Sequence, residues 1–433
     1  MTQERVAPAG HVDGVVNVPG DKSISHRALI LGALARGRTY IGNASPAADV
    51  LATAACLRAC GVWVRDFPPA RYALDGNGVG RFSAPDTVLD CANSGTTMRL
   101  LAGVLAGNDF EAILDGDESL RRRPMLRVGD PLRAMGADVE ASPDGTPPLR
   151  VHGRQVLNGV TWRSPVASAQ VKSAILLAAL SGDGPTTVIE PLPTRDHTKR
   201  MLRMCGVGVD SDGPVVTVHP GPVEPFGLRV PGDLSSAAFF LALAASRPGW
   251  RVRCPGVGLN PGRTGILTVL ETMDAHVLVD EGAPAGGVEP MGDVEVRGTR
   301  LHGITIAGEL TVRCIDELPI IAVLASQADG DTEIRDAGEL RNKESDRIAM
   351  LETGLRLLGV TCESTADSVT VHGPVRLRAA HLDAAGDHRF AMAWAIAAAL
   401  VPAGAGASVI DGADAAAVSY PGFFPDLAAL IAS

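Results

Sequence analysis

The chain has 433 residues, a formal net charge of −10 and a pI near 5.5, and 46% of its residues are hydrophobic. This length predicts two or three domains with sizeable cores. The acidic balance argues against a nucleic-acid groove, because binding to phosphate backbones needs a basic face, so any positive site must be local.

Cysteine usage and apolar runs indicate the compartment. Seven cysteines are scattered without a Cys-x-x-Cys pair, so we expect free thiols in a reducing compartment and no structural zinc. The first residues lack the apolar segment of a signal peptide, and the longest apolar run, 390–401, is too short to span a bilayer. We therefore expect a soluble, cytoplasmic protein.

The first chemical signal along the chain is the stretch VPGDKSISHR at residues 18–27. An apolar run, residues 15–18, predicts a short strand, which the following Pro-Gly pair ends. Asp21 and Ser23 are typical N-cap residues, and the apolar run 28–35 predicts a helix. The sequence here predicts a strand, a tight turn and a buried helix.

Lys22, Ser23 and Arg27 should lie at the N-terminus of this helix. Free N–H groups and the helix macrodipole favour anions there, so two cations and a hydroxyl suggest a site for a phosphate or a carboxylate. Two other interpretations stay open from this stretch alone. One is a solvated helix face, and the other is a P-loop, although Asp21 interrupts the contiguous Gly-Lys-Ser that a P-loop requires.

The same arrangement recurs along the chain. Four candidate helices end in Leu-x-x-x-Gly before an apolar strand, a fifth ends in Leu-x-x-x-Asp, and the copies start 68 to 85 residues apart. Polar openings precede small-residue helices at residues 19–23, 92–97, 164–170, 231–236, 314–319 and 386–389. These six units predict an α/β fold, or α+β with mixed sheets, in which nearly all-apolar helices are buried and sheets surround them.

Charged and polar residues concentrate at these openings. The candidates, given in chain order, are Asn93, Gly95, Arg123, Ser168, Gln170, Arg195, Asp316, Lys343, Glu344, Arg347 and Arg389. For Arg195 and Asp316 a capping turn is an equally open interpretation, and the basic loop around Arg123 alone is typical of a solvated face. Together the cations outnumber the carboxylates near them, which indicates a polyanionic small ligand.

These motifs resemble the enolpyruvyl transferase family. The matching segments are PGDKSISHRAL, NSGTTMRLLAG, RRRP, SPVASAQVKSAILLA, RDHTKRML, PGDLSSAAFFLALA, DELPIIAVLA, KESDR and GDHRFAMA. They cover essentially the whole chain. The resemblance implies two domains of three repeats each, an inside-out α/β barrel with residues 1–20 and 232–433 in one domain and 21–231 in the other. It places the active site in the cleft between them.

The resemblance also implies a reaction. The enolpyruvyl group of phosphoenolpyruvate is transferred to the 5-hydroxyl of shikimate 3-phosphate through a tetrahedral intermediate, with release of phosphate, on the shikimate pathway to chorismate and the aromatic amino acids. No metal or organic cofactor is required. The partners are the two small-molecule substrates, with no nucleic acid and no membrane, and we expect a monomer. Gly95 at the glyphosate-sensitivity position implies inhibition by glyphosate.

The same resemblance assigns roles to residues. Asp316 is the expected base for the 5-hydroxyl, and Lys22 and Glu344 are the candidates for proton transfer at the methylene of phosphoenolpyruvate. Shikimate 3-phosphate is expected to contact Lys22, Ser23, Arg27, Ser168, Ala169, Gln170, Arg195, Asp316 and Lys343. Phosphoenolpyruvate is expected to contact Lys22, Gly95, Arg123, Arg347 and Arg389, with Asn93 beside Gly95 among the substrate-binding residues.

Two alternatives and one departure accompany this assignment. Some relatives carry Lys where this chain has Val418, so one contact to phosphoenolpyruvate is lost or supplied elsewhere. The nearest alternative is UDP-N-acetylglucosamine enolpyruvyl transferase, whose reactive Cys has no counterpart in residues 116–121. The other is a non-catalytic binding homologue, which the presence of Lys22, Asp316 and Glu344 disfavours.

Overall fold

The internal contacts of the chain define two units in this computed structural model, which describes residues 2–432. The central unit comprises Gly20–Pro231 together with the short segment Pro284–Glu289. The terminal unit comprises the described residues up to Pro19, Gly232–Ala283 and the described residues from Pro290 onward. The sequence motifs did not indicate that Pro284–Glu289 would join the central unit.

The helices are distributed along the whole described chain. The α-helices are α1 (Lys22–Leu34), α2 (Ala48–Ala59), α3 (Gly95–Leu105), α4 (Leu126–Ala134), α5 (Ala169–Ala178), α6 (His197–Met204), α7 (Leu234–Ala245), α8 (Gly265–Thr272), α9 (Glu309–Arg313), α10 (Leu318–Ala325), α11 (Arg347–Leu357), α12 (His388–Ala399) and α13 (Phe423–Ile431). Short 3-10 helices span Leu120–Arg122, Ala179–Ser181, Gly338–Asn342 and Ala413–Val418.

The strands alternate with these helices. They are β1 (Gln3–Val6), β2 (Asp13–Val15), β3 (Arg36–Gly42), β4 (Trp63–Phe67), β5 (Arg71–Asn77), β6 (Leu89–Asp90), β7 (Glu111–Asp115), β8 (Asp138–Glu140), β9 (Leu149–His152), β10 (Thr161–Arg163), β11 (Thr186–Ile189), β12 (Val209–Asp212), β13 (Val215–Val218), β14 (Gly227–Arg229), β15 (Arg251–Gly258), β16 (His276–Glu281), β17 (Met291–Arg297), β18 (Thr305–Ile306), β19 (Gly330–Ile334), β20 (Cys362–Ser364), β21 (Val369–Gly373), β22 (His381–Asp383) and β23 (Ser408–Asp411).

The sheets of residues 2–432 follow one plan. Five have four strands, in the orders β14-β3-β5-β4, β6-β7-β9-β8, β10-β11-β13-β12, β2-β15-β17-β16 and β18-β19-β21-β20, and the sixth is β22-β23-β1. In each four-stranded sheet the first pair of this order is parallel and the other two pairs are antiparallel. Five sheets share this topology, and the sixth keeps the parallel pair and one antiparallel pair, in agreement with the six repeats.

Strands distant in sequence complete the sheets within each unit. In the central unit β14, the last strand, pairs parallel with β3, the first. In the terminal unit β2 pairs parallel with β15, and β1 pairs antiparallel with β23. The strand predicted at residues 15–18 corresponds to β2, Asp13–Val15, which begins two residues and ends three residues earlier and pairs with Arg251–Arg253 of β15.

The first helix of each repeat is buried, as its composition predicted. Every residue of α7 and of α12 is buried, and in α1 burial runs from Ile24 to Leu34. A helix that is apolar on all sides can be covered on all sides, and the many Ala residues let neighbouring helices approach closely. These helices form the cores to which the sheets add outer layers.

The predicted stop signals also have the expected backbone. Gly61, Gly136, Gly206 and Gly359 follow α2, α4, α6 and α11 with φ of 78°, 96°, 78° and 90°. Asp274 follows α8 with φ of 72°, so the degenerate copy adopts the same left-handed conformation without glycine. This turn directs the chain from each second helix into the next strand.

The mixed α/β class with buried helices and outer sheets is confirmed. The term barrel describes the arrangement of the repeats only, since the strands of residues 2–432 form six separate sheets and not one closed sheet. None of the helices within residues 2–432 combines the length and the apolar character that crossing a membrane would need.

Candidate active site

Three buried helices of the central unit begin in capped polar turns that carry predicted site residues. Asp21 accepts a hydrogen bond from Ile24 N at 2.9 Å, Ser94 caps α3 through Thr97 N at 3.1 Å, and Ser168 caps α5 through Val171 N at 3.4 Å. The caps satisfy backbone donors that a buried helix end would otherwise leave unpaired. They also fix the first turns, where the predicted binding residues lie.

The guanidinium of Arg27 is held from three directions. Nε donates to Thr198 Oγ1 at 2.7 Å, Nη2 donates to Ser173 Oγ at 2.8 Å, and Nη1 donates to Ser23 O at 2.9 Å. The Thr198 hydroxyl donates in turn to Ser173, and Ser173 donates to Ala169 O. Arg27 is therefore pre-oriented by α5 and α6 before any ligand arrives.

Lys22 is fixed by a carboxylate that the sequence motifs did not single out. Its ammonium lies 3.0 Å from Asp49 Oδ2, at the start of α2. The Asp49 side chain is buried and that of Lys22 is about one-sixth exposed, at 17%. The ion pair holds the ammonium at the first residue of α1. A buried carboxylate is expected to have such a cationic partner, because an unpaired buried charge is costly.

A second group of side chains surrounds the start of α3. Arg123 Nη2 donates to Asn93 Oδ1 at 2.9 Å and to Ser119 Oγ at 3.3 Å, while Asn93 Nδ2 donates to Asp117 Oδ2 at 2.8 Å. A Cβ placed on Gly95 would lie 2.7 Å from Arg99 Nη1 and 3.2 Å from Arg123 Nη1. Gly95 thus lets two guanidinium groups approach the backbone closely.

Gln170 joins the two groups of the central unit. Its Oε1 accepts a hydrogen bond from Arg99 Nη1 at 2.5 Å, and its Nε2 donates to Thr96 Oγ1 at 2.9 Å. Both partners lie on α3, whereas Gln170 lies in the first turn of α5. Because both the oxygen and the nitrogen of the amide are hydrogen-bonded, the orientation of the Gln170 side chain is fixed.

Arg195 follows a loop anchored by a buried ion pair. Lys172 Nζ lies 2.6 Å from Glu190 Oε2 and donates to Thr194 O at 3.2 Å. The Thr194 hydroxyl donates to Glu190. Burial lowers the pKa of Lys172, and the Glu190 carboxylate opposes that shift. The anchored loop leads directly into Arg195 and then α6.

In the terminal unit Arg347 is the centre of a charged cluster. Its Nε donates to Asp387 Oδ2 at 2.8 Å, its Nη2 donates to Glu344 Oε2 at 2.7 Å, and its Nη1 lies 3.8 Å from Asp316 Oδ1. Burial opposes the charge, but the carboxylates outweigh it and raise the pKa of Arg347 above its usual value. Asp316 and Glu344, the two predicted proton-transfer carboxylates, therefore share one cation.

Asp387 organises both predicted arginines of this unit. Besides Arg347, it accepts a hydrogen bond from Arg389 N at 2.9 Å as the N-cap of α12 and one from Ser345 Oγ at 3.0 Å. Arg389 Nη1 is 3.4 Å from Ser235 O, at the start of α7. Asp387 and Arg389, in the polar opening 386–389, thus have partners, as their position at the end of a buried helix required.

The predicted residues fall into one cluster per unit. The central unit holds Lys22, Ser23, Arg27, Asn93, Gly95, Arg123, Ser168, Ala169, Gln170 and Arg195, and the terminal unit holds Asp316, Lys343, Glu344, Arg347 and Arg389. Sequence reasoning left Asp49, Arg99, Ser173, Thr198 and Asp387 out of the predicted site, although Arg99 and Asp387 belong to polar openings that it had singled out. Polar residues inside otherwise apolar helices, such as Ser173 in α5, were the available signal.

Comparisons with known proteins agree over almost the full length. A sequence model described as EPSP synthase (3-phosphoshikimate 1-carboxyvinyltransferase) matches residues 6–427. The chain is 47% identical over 429 residues to 3-phosphoshikimate 1-carboxyvinyltransferase of a Roseiflexus species, covering 98% of each protein. It is 47% identical over 437 residues to the enzyme of the same name from Chloroflexus aggregans, covering 99% of each.

Solved structures show the same likeness. EPSP synthase from Acinetobacter baumannii superposes with a TM-score of 0.87 at 38% identity, covering 99% of this chain and 98% of that one. The enolpyruvyl transferase NikO from Streptomyces tendae has a TM-score of 0.78 at 20% identity, covering 98% and 96%, and shares the fold.

On this fold, buried helices present cations and carboxylates at their first turns. This combination defines the enolpyruvyl transferase class. The full-length match then identifies the chain as a member of the EPSP synthase family, the 3-phosphoshikimate 1-carboxyvinyltransferases. The family resemblance inferred from sequence is confirmed, and with it enolpyruvyl transfer to shikimate 3-phosphate on the shikimate pathway.

Proposed function

We propose that the two clusters act on one pair of substrates, shikimate 3-phosphate and phosphoenolpyruvate. The observation that carries this assignment is the contact of Arg347 with both Glu344 and Asp316. It brings Glu344, one of the two candidate proton donors, and Asp316, the predicted base, to one buried cation within the terminal unit. Charges arranged before the substrates arrive cost no reorganisation during the reaction.

The central cluster binds shikimate 3-phosphate in this proposal. Lys22, Arg27 and Arg195 neutralise the phosphate, and Ser23 with Ser168, Ala169 and Gln170 supply hydrogen-bonding groups at helix N-termini. The orientation of Arg27 by Thr198 and Ser173 supports this role, because a guanidinium fixed in advance loses less entropy on binding an anion. Lys343 completes the contacts from the terminal unit.

Phosphoenolpyruvate binds to Lys22, Arg123, Arg347 and Arg389, beside Gly95 and Asn93. One further arginine, Arg99 in the central unit, adds to the positive field. Three negative charges on a small substrate require such a concentration of cations in a protein of net charge −10. Val418, at the end of a 3-10 helix, supplies no charge where some relatives have Lys.

The chemistry needs one acid and one base. Protonation of the methylene carbon by Glu344 or Lys22 makes the neighbouring enol carbon electrophilic, and the 5-hydroxyl oxygen attacks that carbon while Asp316 takes its proton. The tetrahedral intermediate then expels phosphate as its C–O bond breaks, and a proton leaves the methyl group to restore the double bond. No step requires a metal or an organic cofactor.

Phosphate release tests the proposal directly. Purified enzyme, treated with a chelator and desalted, is assayed with phosphoenolpyruvate plus shikimate 3-phosphate, plus UDP-N-acetylglucosamine, or alone. We expect release only with shikimate 3-phosphate. Release with the nucleotide sugar, or tight binding of both substrates without release, would overturn the assignment.

Two finer statements belong with this proposal. We propose that the enzyme acts as a monomer in the cytoplasm. All seven cysteines are buried thiols, which suits a reducing compartment. Sedimentation at micromolar concentration tests the oligomeric state, and fractionation of the producing cells tests the compartment.

A further inference from the structure

The segment Pro284–Glu289, here named the inserted loop, connects β16 and β17 of the terminal unit but belongs to the central unit. Ala285 N donates to Glu289 O at 2.8 Å and Glu289 N donates to Ala285 O at 3.1 Å, so the loop closes on itself. Gly286 and Gly287 have φ of 56° and 72°, which a tight turn of this kind requires. The loop is therefore a built turn with a defined shape.

The inserted loop contacts one face of α6 at three places. Glu289 Oε1 accepts a hydrogen bond from His197 Nδ1 at 2.9 Å, and both side chains are about 98% buried or more, with 1% and 2% exposed. Val288 O accepts a hydrogen bond from Arg200 Nη1 at 3.1 Å. A Cβ on Gly286 would lie 2.6 Å from Met204 Sδ. Positions 197, 200 and 204 follow the three- and four-residue spacing of one helix face.

The start of α6 also contacts the substrate cluster. Thr198, directly after His197, accepts the Nε hydrogen bond of Arg27 and donates to Ser173, each at 2.7 Å. Arg195 lies two residues before His197. The first turn of α6 thus lies between Glu289 and the side chains assigned to shikimate 3-phosphate.

We propose that Glu289 is a positioning residue for shikimate 3-phosphate. Its bond to His197 fixes the first turn of α6, and Thr198 in that turn fixes the guanidinium of Arg27. A carboxylate buried this deeply must be paired, and that of Glu289 is almost completely removed from solvent. This role rests on the proposed binding of the substrate phosphate by Arg27 and Arg195.

The test compares binding of shikimate 3-phosphate, measured by calorimetry without phosphoenolpyruvate, with the two KM values and kcat. Glu289→Gln removes the charge at nearly constant shape, His197→Asn removes the partner ring, and the double variant completes a cycle. Glu289→Asp keeps the charge and serves as the conservative variant. Glu281→Gln is the matched control, because Glu281 is an exposed carboxylate at the end of β16.

We expect Glu289→Gln and His197→Asn each to raise Kd and KM for shikimate 3-phosphate about 10-fold, with KM for phosphoenolpyruvate within about twofold of the parent. The double variant should bind shikimate 3-phosphate no more weakly than the weaker-binding of the two single variants. Glu289→Asp should recover part of the affinity for shikimate 3-phosphate, and Glu281→Gln should match the parent. Thr198→Val should reproduce the selective loss, since it removes the bond to Arg27.

Two results would overturn the proposal. One is unchanged affinity for shikimate 3-phosphate in variants whose circular dichroism and melting temperature show a folded protein. The other is an equal loss for both substrates in step with reduced thermal stability, which would make Glu289 a structural residue only. If Glu289→Gln does not fold, His197→Asn and Glu289→Asp give the same comparison. If the parent enzyme itself fails to bind shikimate 3-phosphate, the proposed function fails first.

Discussion

Arg347 Nη1 lies 3.8 Å from Asp316 Oδ1, while the same guanidinium donates to Glu344 at 2.7 Å. Both carboxylates belong to the terminal unit but lie 28 residues apart in sequence, at the entrances of α10 and α11. A single buried cation therefore couples Asp316, which should accept the hydroxyl proton, to Glu344, one of the two candidates for protonating the methylene. Their separate roles can be tested by changing one carboxylate at a time.

Asp316→Asn and Glu344→Gln should reduce kcat by about 10²- to 10⁴-fold, because each removes a proton-transfer group at constant shape. Affinity for the two substrates should change much less, since these groups act mainly in the transition state. Steady-state kinetics with calorimetric binding measures both quantities. Ser345→Ala is a neighbouring control, since it removes only one of the bonds to Asp387. Near-normal kcat in either carboxylate variant would remove that residue from the mechanism.

Gly95→Ala should raise KM for phosphoenolpyruvate, because the new methyl group would meet the ends of Arg99 and Arg123. Both contacts are to the far ends of flexible side chains, so a shift of these guanidinium groups can accommodate the methyl group. We expect about a 10-fold increase with shikimate 3-phosphate binding unchanged. Gly10→Ala, at an open position in the terminal unit, is the matched control.

Glyphosate should inhibit the parent enzyme competitively with phosphoenolpyruvate. A Cβ at position 95 would crowd the guanidinium groups of Arg99 and Arg123, so the methyl group of Gly95→Ala should weaken inhibition along with substrate binding. Initial rates over a matrix of both concentrations give the inhibition pattern. Full turnover at glyphosate concentrations far above that of phosphoenolpyruvate would contradict this expectation.

Lys172→Met should strongly destabilise the fold. The substitution leaves the Glu190 carboxylate buried without its cation, and breaking a buried pair from one side costs about 3–5 kcal/mol. The double variant Lys172→Met with Glu190→Gln should recover part of this loss, because the uncompensated charge is then absent. Urea unfolding measures each free energy. If the single variant is as stable as the parent, the pair does not anchor the loop before Arg195.

The sequence motifs predicted the framework well because the framework depends on local patterns. Apolar helix stretches, N-cap residues and the glycines that follow helices each indicate the conformation of the nearby backbone. Asp274 likewise adopts the left-handed conformation that its place in the repeat predicts. The partners of the site residues depend on tertiary contacts instead. Asp49 meets Lys22 across 27 residues and Thr198 meets Arg27 across 171, so no spacing rule in the chain indicates either pair.

The inserted loop escaped prediction for a related reason. It lies within the segment GAPAGGVEP, residues 282–290, which resembles an ordinary hairpin connection rich in Gly and Pro. Only Glu289 distinguishes this segment from a solvated turn, because its carboxylate is buried against His197, 92 residues away in the sequence. A single carboxylate in a turn is exposed in most proteins, so its burial could be known only from the structure.

His26 should make the stability of the fold depend on pH. The ring is fully buried, its Nδ1 lies 2.7 Å from Thr53 Oγ1, and burial together with the charges of Lys22 and Arg27 lowers its pKa well below 6.5. In the unfolded chain the same ring takes up a proton below about pH 6.5. The unfolded state therefore binds more protons in mildly acidic solution, and the free energy of unfolding falls as the pH drops below that value. Where only the unfolded ring is protonated, the slope is about 1.4 kcal/mol per pH unit.

Urea unfolding of the parent and of His26→Asn between pH 5 and pH 7.5 isolates this contribution from other titrating groups. The stability difference between the two proteins should be constant above about pH 7 and should shift against the parent below about pH 6.5. His276→Asn, at an exposed position of β16, is the matched control for the loss of a histidine. Parallel pH profiles for the parent and His26→Asn would show that His26 takes up its proton equally in both states.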